Sequence, residues 1–571
     1  MNKNHTTNLT FLGAVGTVTP SSTILTHTFH KRTIKIMVDA GITPGSRERI
    51  IIPTGIDMLL LSHGHVDHVG QLPRFWMQNP ESKIYIPEGN KEIIAHNVTQ
   101  SYRLSMEENP EAKMGRWLNE ARGLLNDVQV NIPKRGVIRS KSGDRHTTSK
   151  SRRELQTEVS LREAKLESAI LSLCMFLQIP EREIGHMDNE AMIVFFRRKM
   201  QETYGNMLDH FKNRGIVTKC DVDRSLAALC ELSREKWHTV MKIDTKNVRI
   251  RFDETGHIVT GPGCAIGIDL PTPAGSKKIG FTGDVGNPQL GYPGTNPDFR
   301  KIYNLYDVGI SEATYGDKHH ADRSDELRKL DSKIMKAVRE KTDIVVITLA
   351  LERSVYSLYE ILQCLKNNNV DLNALDISYF GDSIADVFKF FPKGKIKDTV
   401  RPFLKPLVPN GLTRSGKQNF LQKLGLPGKK QRLIIASCGF FAPGGPSAHL
   451  LAHMYSQEKL LIISANYHGE PGSNGYNLFH GEPYQIDTEM YDPKPGHETF
   501  AAGGFSGHAD VAGLTRFIRK TIKDNGTVFL NHGSDAAREA LARTLLADSV
   551  LISKKVNVFL PKANRAYKAN Q

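Results

Sequence analysis

The sequence predicts an α/β protein of several domains, and three stretches carry that expectation. Residues 8–62 hold short apolar segments between turns, residues 100–245 change to helical periods, and residues 340–485 alternate apolar strands with helices. In the first stretch Leu9-Thr10-Phe11-Leu12-Gly13 leads into a Gly/Ser/Thr/Pro turn, and Ile34-Lys35-Ile36-Met37-Val38-Asp39 alternates at period two. Met58-Leu59-Leu60-Leu61-Ser62 is a continuous apolar run, as expected of a strand buried on both faces. In the second stretch Leu155, Val159, Leu166, Ala169, Ile170 and Leu173 mark one amphipathic helix face, and Ile193, Phe196, Met200, Met207 and Phe211 mark another. Ahead of them, residues 134–153 hold eight Lys or Arg and one acid among Gly, Ser and Thr, the composition of a basic loop. In the third, Ile344 to Leu351 is the expected strand and Val355 to Cys364 the expected helix. The C-terminal part returns to short strands and one helix, Ala536 to Leu546.

Composition excludes several classes. With 571 residues, 39% hydrophobic and 24% charged, the chain can bury sizeable cores, and its length suits roughly three to four domains. The longest apolar run is about eight residues, against the ~20 a bilayer-spanning helix needs, and the first residues lack the basic-then-apolar order of a signal peptide. No membrane association is expected, and a cytoplasmic location is. Cys174, Cys220, Cys230, Cys264, Cys364 and Cys438 form no Cys-x-x-Cys pair, which argues for reduced thiols and against a cysteine zinc knuckle. A net charge of +15 favours an anionic partner such as nucleic acid.

Directly after the buried strand comes Ser62-His63-Gly64-His65-Val66-Asp67-His68. Three histidines and a carboxylate within six residues, at a strand end, can present nitrogen and oxygen donors to metal from one tight turn. Imidazole with carboxylate suits zinc, and also manganese or iron. A two-metal site needs further donors from elsewhere in the chain.

This run resembles the signature of the metallo-β-lactamase fold, and further segments resemble its β-CASP nuclease branch. Gly13-Ala14-Val15-Gly16-Thr17-Val18-Thr19 is similar to that branch's opening turn, Asp39 to its first acid, and Leu72-Pro73 to the residues that follow the histidines. Gly256-His257-Ile258 resembles the third motif and Phe281-Thr282-Gly283-Asp284 the fourth. Ser311-Glu312-Ala313-Thr314-Tyr315-Gly316-Asp317 resembles the box that carries the motif A acid. Phe505-Ser506-Gly507-His508-Ala509-Asp510 resembles motif B, and Asn531-His532-Gly533 motif C. Ser437-Cys438-Gly439-Phe440 and Gly444-Gly445-Pro446-Ser447 resemble a glycine-rich box of the inserted domain.

The resemblance implies a metallo-β-lactamase αββα sandwich with an inserted β-CASP α/β domain and an additional helical insertion. The expected division is a sandwich over 1–100, 246–335 and 491–571, the helical, basic insertion over 101–245, and the β-CASP domain over 336–490. It also implies two zinc ions, with manganese or iron as substitutes. His63, His65 and His257 would form one site, Asp67, His68 and His532 the other, and Asp284 would bridge. Two such metals activate a hydroxide for attack at phosphorus and steady both oxygens of an in-line displacement. Asp67 could also orient that hydroxide, and Asp39 would orient the imidazoles from behind. His508 would protonate the departing oxygen, with Glu312 holding it cationic and aligned.

Arg353 and Ser437 are candidates for phosphate contact, and pairing with an acid is the alternative for Arg353. His319 and His320 follow the motif A box, where a loop-structural role competes with function. His449 and His453 sit four apart on an expected helix without a third ligand. The chain departs from the family pattern at several places: Pro20 and Gly507 stand where glycine and alanine are usual, residues 260–263 put Thr-Gly-Pro-Gly after the third motif, Gly472-Ser473-Asn474-Gly475-Tyr476 lacks the arginine of the box it resembles, and Ser534 replaces an acid after motif C.

Three functions compete: an RNA-cleaving hydrolase, endonucleolytic or acting from the 5′ end; a hydrolase of a small ester, thioester or lactam; and a silent binding subunit. Every ligand position is filled, which disfavours the last, and the small-substrate function gives motifs A, B and C no use. A DNA-acting β-CASP nuclease is the further alternative. His532 favours RNA, because DNA-acting relatives tend to carry valine at motif C. The 101–245 insertion could hold RNA through phosphates, or dock a protein partner or a second copy of the chain. If it holds RNA, deleting the basic stretch 134–153 should weaken RNA binding and flatten its salt dependence while metal content stays at the parent level. Binding across a salt series checks this, and an unchanged slope and affinity would favour docking.

Overall fold

A computed structural model of the chain describes residues 5–43, 49–104, 110–131, 152–213, 217–295, 302–410, 414–439, 441–465 and 472–569. Residues 134–151 of the basic stretch and Phe440 of the glycine-rich box lie outside the described residues. The chain divides into two compact units, Met1–Val98 with Ser225–Gln571, and Thr99–Arg224.

The larger unit contains two seven-stranded sheets. The first runs in the order Ala566–Lys568, His5–Phe11, Thr23–Phe29, Arg32–Val38, Met58–Leu60, Lys83–Pro87, Leu229–Leu232. The second runs Asn557–Phe559, Ile522–Asn531, Tyr306–Glu312, Gly275–Phe281, Cys264–Thr272, Lys246–Glu254, His238–Ile243. Alternate residues of both meet in one apolar core: Leu9, Phe11, Leu25 and Ile36 from the first sheet, and Ile250, Phe252, Ile266 and Phe529 from the second. Helices Val511–Thr521 and Asp535–Ala547 cover the other face of the second sheet, through Leu514, Phe517, Ile518, Leu541 and Leu545.

A third sheet is parallel throughout, in the order Leu375–Phe380, Gln431–Ala436, Asp343–Ile347, Leu460–Ser464, His497–Ala501. Its central strand explains why an unbroken apolar run was needed. Ile344 and Val346 join the core under helix Arg353–Asn367, while Val345 and Ile347 join the core under helix Pro446–Met454.

Two boundaries differ from the sequence expectation. The insertion expected over 101–245 ends earlier, because Leu229–Leu232 pairs in parallel with Lys83–Pro87 and His238–Ile243 pairs antiparallel with Lys246–Glu254. These strands bury only Leu229, Val240 and Ile243 among charged and polar neighbours, so their period was hard to see. His497–Ala501, expected in the sandwich, is the edge strand of the third sheet.

Among the described residues the smaller unit has three long helices, Pro110–Asn131, Arg152–Leu177 and Asn189–Asn213. Ala169, Leu173, Phe196 and Met200, expected on apolar faces, are buried together with Ala121, Leu125 and Val128 of the first helix, which the sequence had not singled out. Among the described residues no helix is long and apolar enough to cross a membrane.

The first sheet also buries a histidine away from the strand ends. His27 is fully buried, its Nδ1 lies 2.9 Å from Thr7 Oγ1, and burial, aided by His5, pushes it down to about 4. The unfolded chain then binds this proton between pH 6.5 and 4 and the folded chain does not, so stability is present above that window and lost as pH falls through it. His27→Gln should lose less stability between pH 7 and pH 4 than the parent, by on the order of 3 kcal/mol. Denaturant titrations of both proteins at the two pH values check this.

Candidate metal centre

The strand register sets where the functional side chains emerge. In the first sheet Val38 pairs in parallel with Leu60, so the chain leaves both strands at one edge, bringing Asp39 beside Ser62 and His63. A tight turn and the short helix Val66–Val69 then carry His65, Asp67 and His68. Gly41 lets the two turns cross, since a Cβ there would overlap the Asp67 carbonyl. In the second sheet Phe281, Ile310 and Phe529 lie side by side on parallel strands. Asp284, Glu312 and His532 therefore leave a common edge. His257 follows strand Lys246–Glu254, and His508 precedes helix Val511–Thr521.

The donors converge in two groups that share Asp284. One ligand atom each from His63, His65, His257 and Asp284 lie within 4.8 Å of one another, as do those of Asp67, His68 and His532. Asp284 Oδ2 is 3.5 Å from His63 Nε2 and 3.3 Å from His257 Nε2. Its Oδ1 is 3.3 Å from His68 Nε2 and 3.7 Å from His532 Nε2. Asp67 Oδ2 completes the second group, 3.7 Å from His68 Nε2 and 3.6 Å from His532 Nε2.

The donor set fits a metal. His68 Nε2, His532 Nε2 and Asp284 Oδ1 are buried without a hydrogen-bond partner. Buried polar atoms are rarely left so unless something else satisfies them. The opposite ring nitrogens of three of these imidazoles are engaged: His68 Nδ1 donates to Asp39 Oδ2 at 2.7 Å, His257 Nδ1 donates to the Gly507 carbonyl at 3.2 Å, and His532 Nδ1 lies 3.2 Å from Thr314 Oγ1. Such bonds fix the tautomer and ring direction that metal ligation needs. Asp39 accepts in addition from the Ser62 amide at 2.8 Å and the Ser62 hydroxyl at 3.0 Å, and that hydroxyl lies 3.1 Å from His63 Nδ1. Sequence reading missed Ser62, whose only visible signal was its place between the strand and the histidine run. It also gave Thr314 no role.

Electrostatics divide the imidazoles. Burial, reinforced by neighbouring histidines, holds His63 well below its ordinary range, and burial with His508 does the same to His257. Burial lowers His65 to about 4 against the pull of Asp67 and Asp284. These three are neutral, the form that binds metal. Burial would also lower His68, but Asp284, Asp39 and Asp67 raise it well above its ordinary value. Asp284 is held well below the carboxylate range despite its burial, chiefly by His68 and His532.

His508 stands apart from both groups. Its Nδ1 donates to Glu312 Oε2 at 3.0 Å, and its Nε2 faces Asp284 Oδ2 at 3.9 Å. Burial would lower it, but Glu312 and Asp284 raise it to about 9. Glu312 lies near enough to Asp284 and His532 to serve as a donor, yet its Oε1 accepts from the Val285 amide and its Oε2 from His508.

The remaining candidates sit elsewhere. Arg353 opens helix Arg353–Asn367 and abuts Gly507. Ser437 follows the third-sheet strand Gln431–Ala436, with its amide bonded to the Phe380 carbonyl. His320 Nε2 donates to the His508 carbonyl at 2.9 Å, a contact that braces the loop, and His319 is exposed. His449 pairs with Asp487 at 3.0 Å, and neither it nor His453 belongs to a donor group among the described residues.

Comparison with known proteins matches residues 17–129 to the metallo-β-lactamase superfamily. Residues 498–561 match a Zn-dependent metallo-hydrolase RNA specificity domain. Fold and matches agree on a metallo-β-lactamase domain, and the donor set fits the metallo-hydrolase description of the second match. Three relatives narrow this. A ribonuclease of Thermus thermophilus is 24% identical over 335 residues, 57% of this chain and 70% of that protein. The transcription termination factor FttA of a Lokiarchaeum species is 28% identical over 138 residues, 23% of this chain and 21% of that protein. RNase aCSPSF2 of Saccharolobus solfataricus is 24% identical over 316 residues, 53% of this chain and 56% of that protein. The chain thus spans less than two thirds of the latter two. Matches and relatives together support the β-CASP nuclease family within that superfamily.

Proposed function

We propose that the protein is a metal-dependent phosphodiesterase that hydrolyses RNA. The observation that carries this is the pairing of two donor groups around Asp284 with a separate His508–Glu312 dyad 3.9 Å away. Phosphodiester hydrolysis needs both an activated water and a proton for the departing oxygen. Substrates are assigned to RNA because the RNA specificity match, 498–561, contains both His508 and His532, and because two of the relatives are named ribonucleases.

The residue roles follow. His63, His65 and His257 would hold one zinc ion, and Asp67, His68 and His532 a second, with one Asp284 oxygen turned to each group; manganese or iron fits the same donors. Bound there, the metal pair supplies Lewis-acid activation of water and neutralises charge on the phosphate. Asp39 fixes the His68 ring by its hydrogen bond, and Asp67, at the more open side, can accept a proton from the attacking water. His508 carries its second proton on Nε2 toward the site, because Nδ1–H is committed to Glu312, and delivers it to the leaving oxygen.

Purified protein supplied with defined metals, and given 5′- and 3′-labelled RNA and DNA oligonucleotides, tests the assignment by product length. RNA products are expected, and their lengths separate internal cleavage from cleavage at the 5′ end. Failure to cut RNA with any of the three metals would overturn the assignment.

Elemental analysis should find close to two transition-metal ions per chain, and Asp284→Ala should lose both metal and activity. A parent value near zero that added metal does not restore would sink the two-metal assignment.

His508→Ala should slow cleavage by about 10²–10⁴ while keeping its metal. Cleavage by the parent should fall as pH rises through the His508 pKa, because the acid must be protonated. Glu312 raises that pKa, so Glu312→Gln should move the falling limb to lower pH. A pH–rate profile with an unmoved limb would remove Glu312 from this role.

A further inference from the structure

Arg353 occupies a place that its own helix does not explain. It is the first residue of Arg353–Asn367, where a cation opposes the helix dipole, and no acid lies in that first turn to offset it. The residue is 6% exposed, and Nη1 is buried without a hydrogen-bond partner. Glu352, the preceding residue, offsets part of the charge, since Arg353 pulls against the burial that raises the Glu352 carboxyl, but it gives Nη1 no hydrogen bond. Its Oε1 accepts from the amides of Val259 and Thr260, just after His257, and its Oε2 is itself buried without a hydrogen bond. A buried guanidinium with an unmet donor is unfavourable unless an anion reaches it.

Gly507 shows where the guanidinium sits. A Cβ at 507 would overlap Arg353 Nη2 and lie 3.2 Å from His257 Cε1. The missing side chain therefore lets the guanidinium lodge beside a metal-centre imidazole, one residue from His508. His508 and Asp67 are the more open side chains here, 23% and 21% exposed, so ligand access lies on that side.

Resting on the RNA-hydrolase assignment, we propose that Arg353 binds the RNA phosphate seated at the metal centre, and that Gly507 is glycine to admit its guanidinium. A planar fork of donors matches two phosphate oxygens, which a lysine cannot reproduce.

The test is binding of a single-stranded RNA oligonucleotide to the full chain, held metal-free with a chelator, across a salt series. Arg353→Ala should weaken binding and make the slope of log affinity against log salt shallower by about 0.7, the loss of one phosphate contact on a single strand. Arg353→Lys should keep the parent slope, because the charge stays, but cut reloaded RNA at least tenfold more slowly. Gly507→Ala should shift binding in the same direction as Arg353→Ala. All three variants should take up metal as the parent does. Parental slope and affinity in Arg353→Ala would overturn the proposal, and so would loss of metal uptake in Arg353→Ala, which would make Arg353 a support for His257. A parent that neither binds nor cuts RNA overturns the RNA assignment, and Arg353 with it; a parent that does both beside an unchanged Arg353→Ala overturns Arg353 alone.

Discussion

A buried carboxylate divides the centre of this protein, and the rest of the structure can be read as what that carboxylate requires. Asp284 is 2% exposed, and an ionised group at that depth must be compensated by charge or by hydrogen bonds. His68, His532, His508 and His257 provide the compensation and hold Asp284 well below the ordinary carboxylate range. Neither sheet could supply these partners alone. His63, His65 and His68 follow a strand of the first sheet, while Asp284 and His532 follow strands of the second. The apolar core between the sheets therefore has a functional consequence: it fixes the two strand edges at the separation that Asp284 spans. Packing errors there would be felt at the metal centre, because cores at crystal-like density pass small displacements on to their surroundings.

Exposure then sorts the side chains by the work they can do. His63 has no exposed side-chain surface, whereas His508 and Asp67 retain about a fifth of theirs. A ligand gains from a dry, rigid setting, which keeps His63 and His257 neutral and their directions fixed. A proton donor has to meet both substrate and water. Glu312 is as buried as the inner residues, yet both its oxygens are engaged, by Val285 and His508. The fold thus places two carboxylates near one another with different partners, Asp284 facing the imidazole groups and Glu312 held by the Val285 amide and His508. Their hydrogen bonds, not their residue type, make the difference.

Much of this was legible in the sequence because its chemistry is local. Four of the donors fall in one turn after an apolar strand, so His63, His65, Asp67 and His68 could be read without knowing the fold. His257, Asp284, Glu312, His508 and His532 are scattered over nearly 300 residues, and only resemblance joined them; parallel register is the physical fact behind it. The long amphipathic helices and the unbroken strand Ile344 to Ile347 also announced themselves by period. Other features had no local trace. Ser62 looked like the end of a strand, although its hydroxyl touches Asp39, His63 and His68. Leu229–Leu232 and His238–Ile243 are too polar to show a period, and His497–Ala501 is an edge strand whose partner lies more than 30 residues back. Gly507 could be seen to be unusual, but not why, since the guanidinium that fills its space is 154 positions earlier in the chain.

The position of the helical unit has a topological reason. Lys83–Pro87 and Leu229–Leu232 are neighbouring parallel strands, and a parallel pair can be joined only by a connection that leaves the sheet and returns. Any fold with this pair already contains such a crossover. Lengthening it to hold three more helices leaves every ladder hydrogen bond in place, and the extra closure entropy grows only with the logarithm of the length. The same lengthening at an antiparallel hairpin such as Cys264–Thr272 with Gly275–Phe281 would separate strands whose register depends on a tight turn. The second of those strands leads directly to Asp284. Residues 99–224 thus enter the chain where growth leaves the strand pairings beside the donors undisturbed.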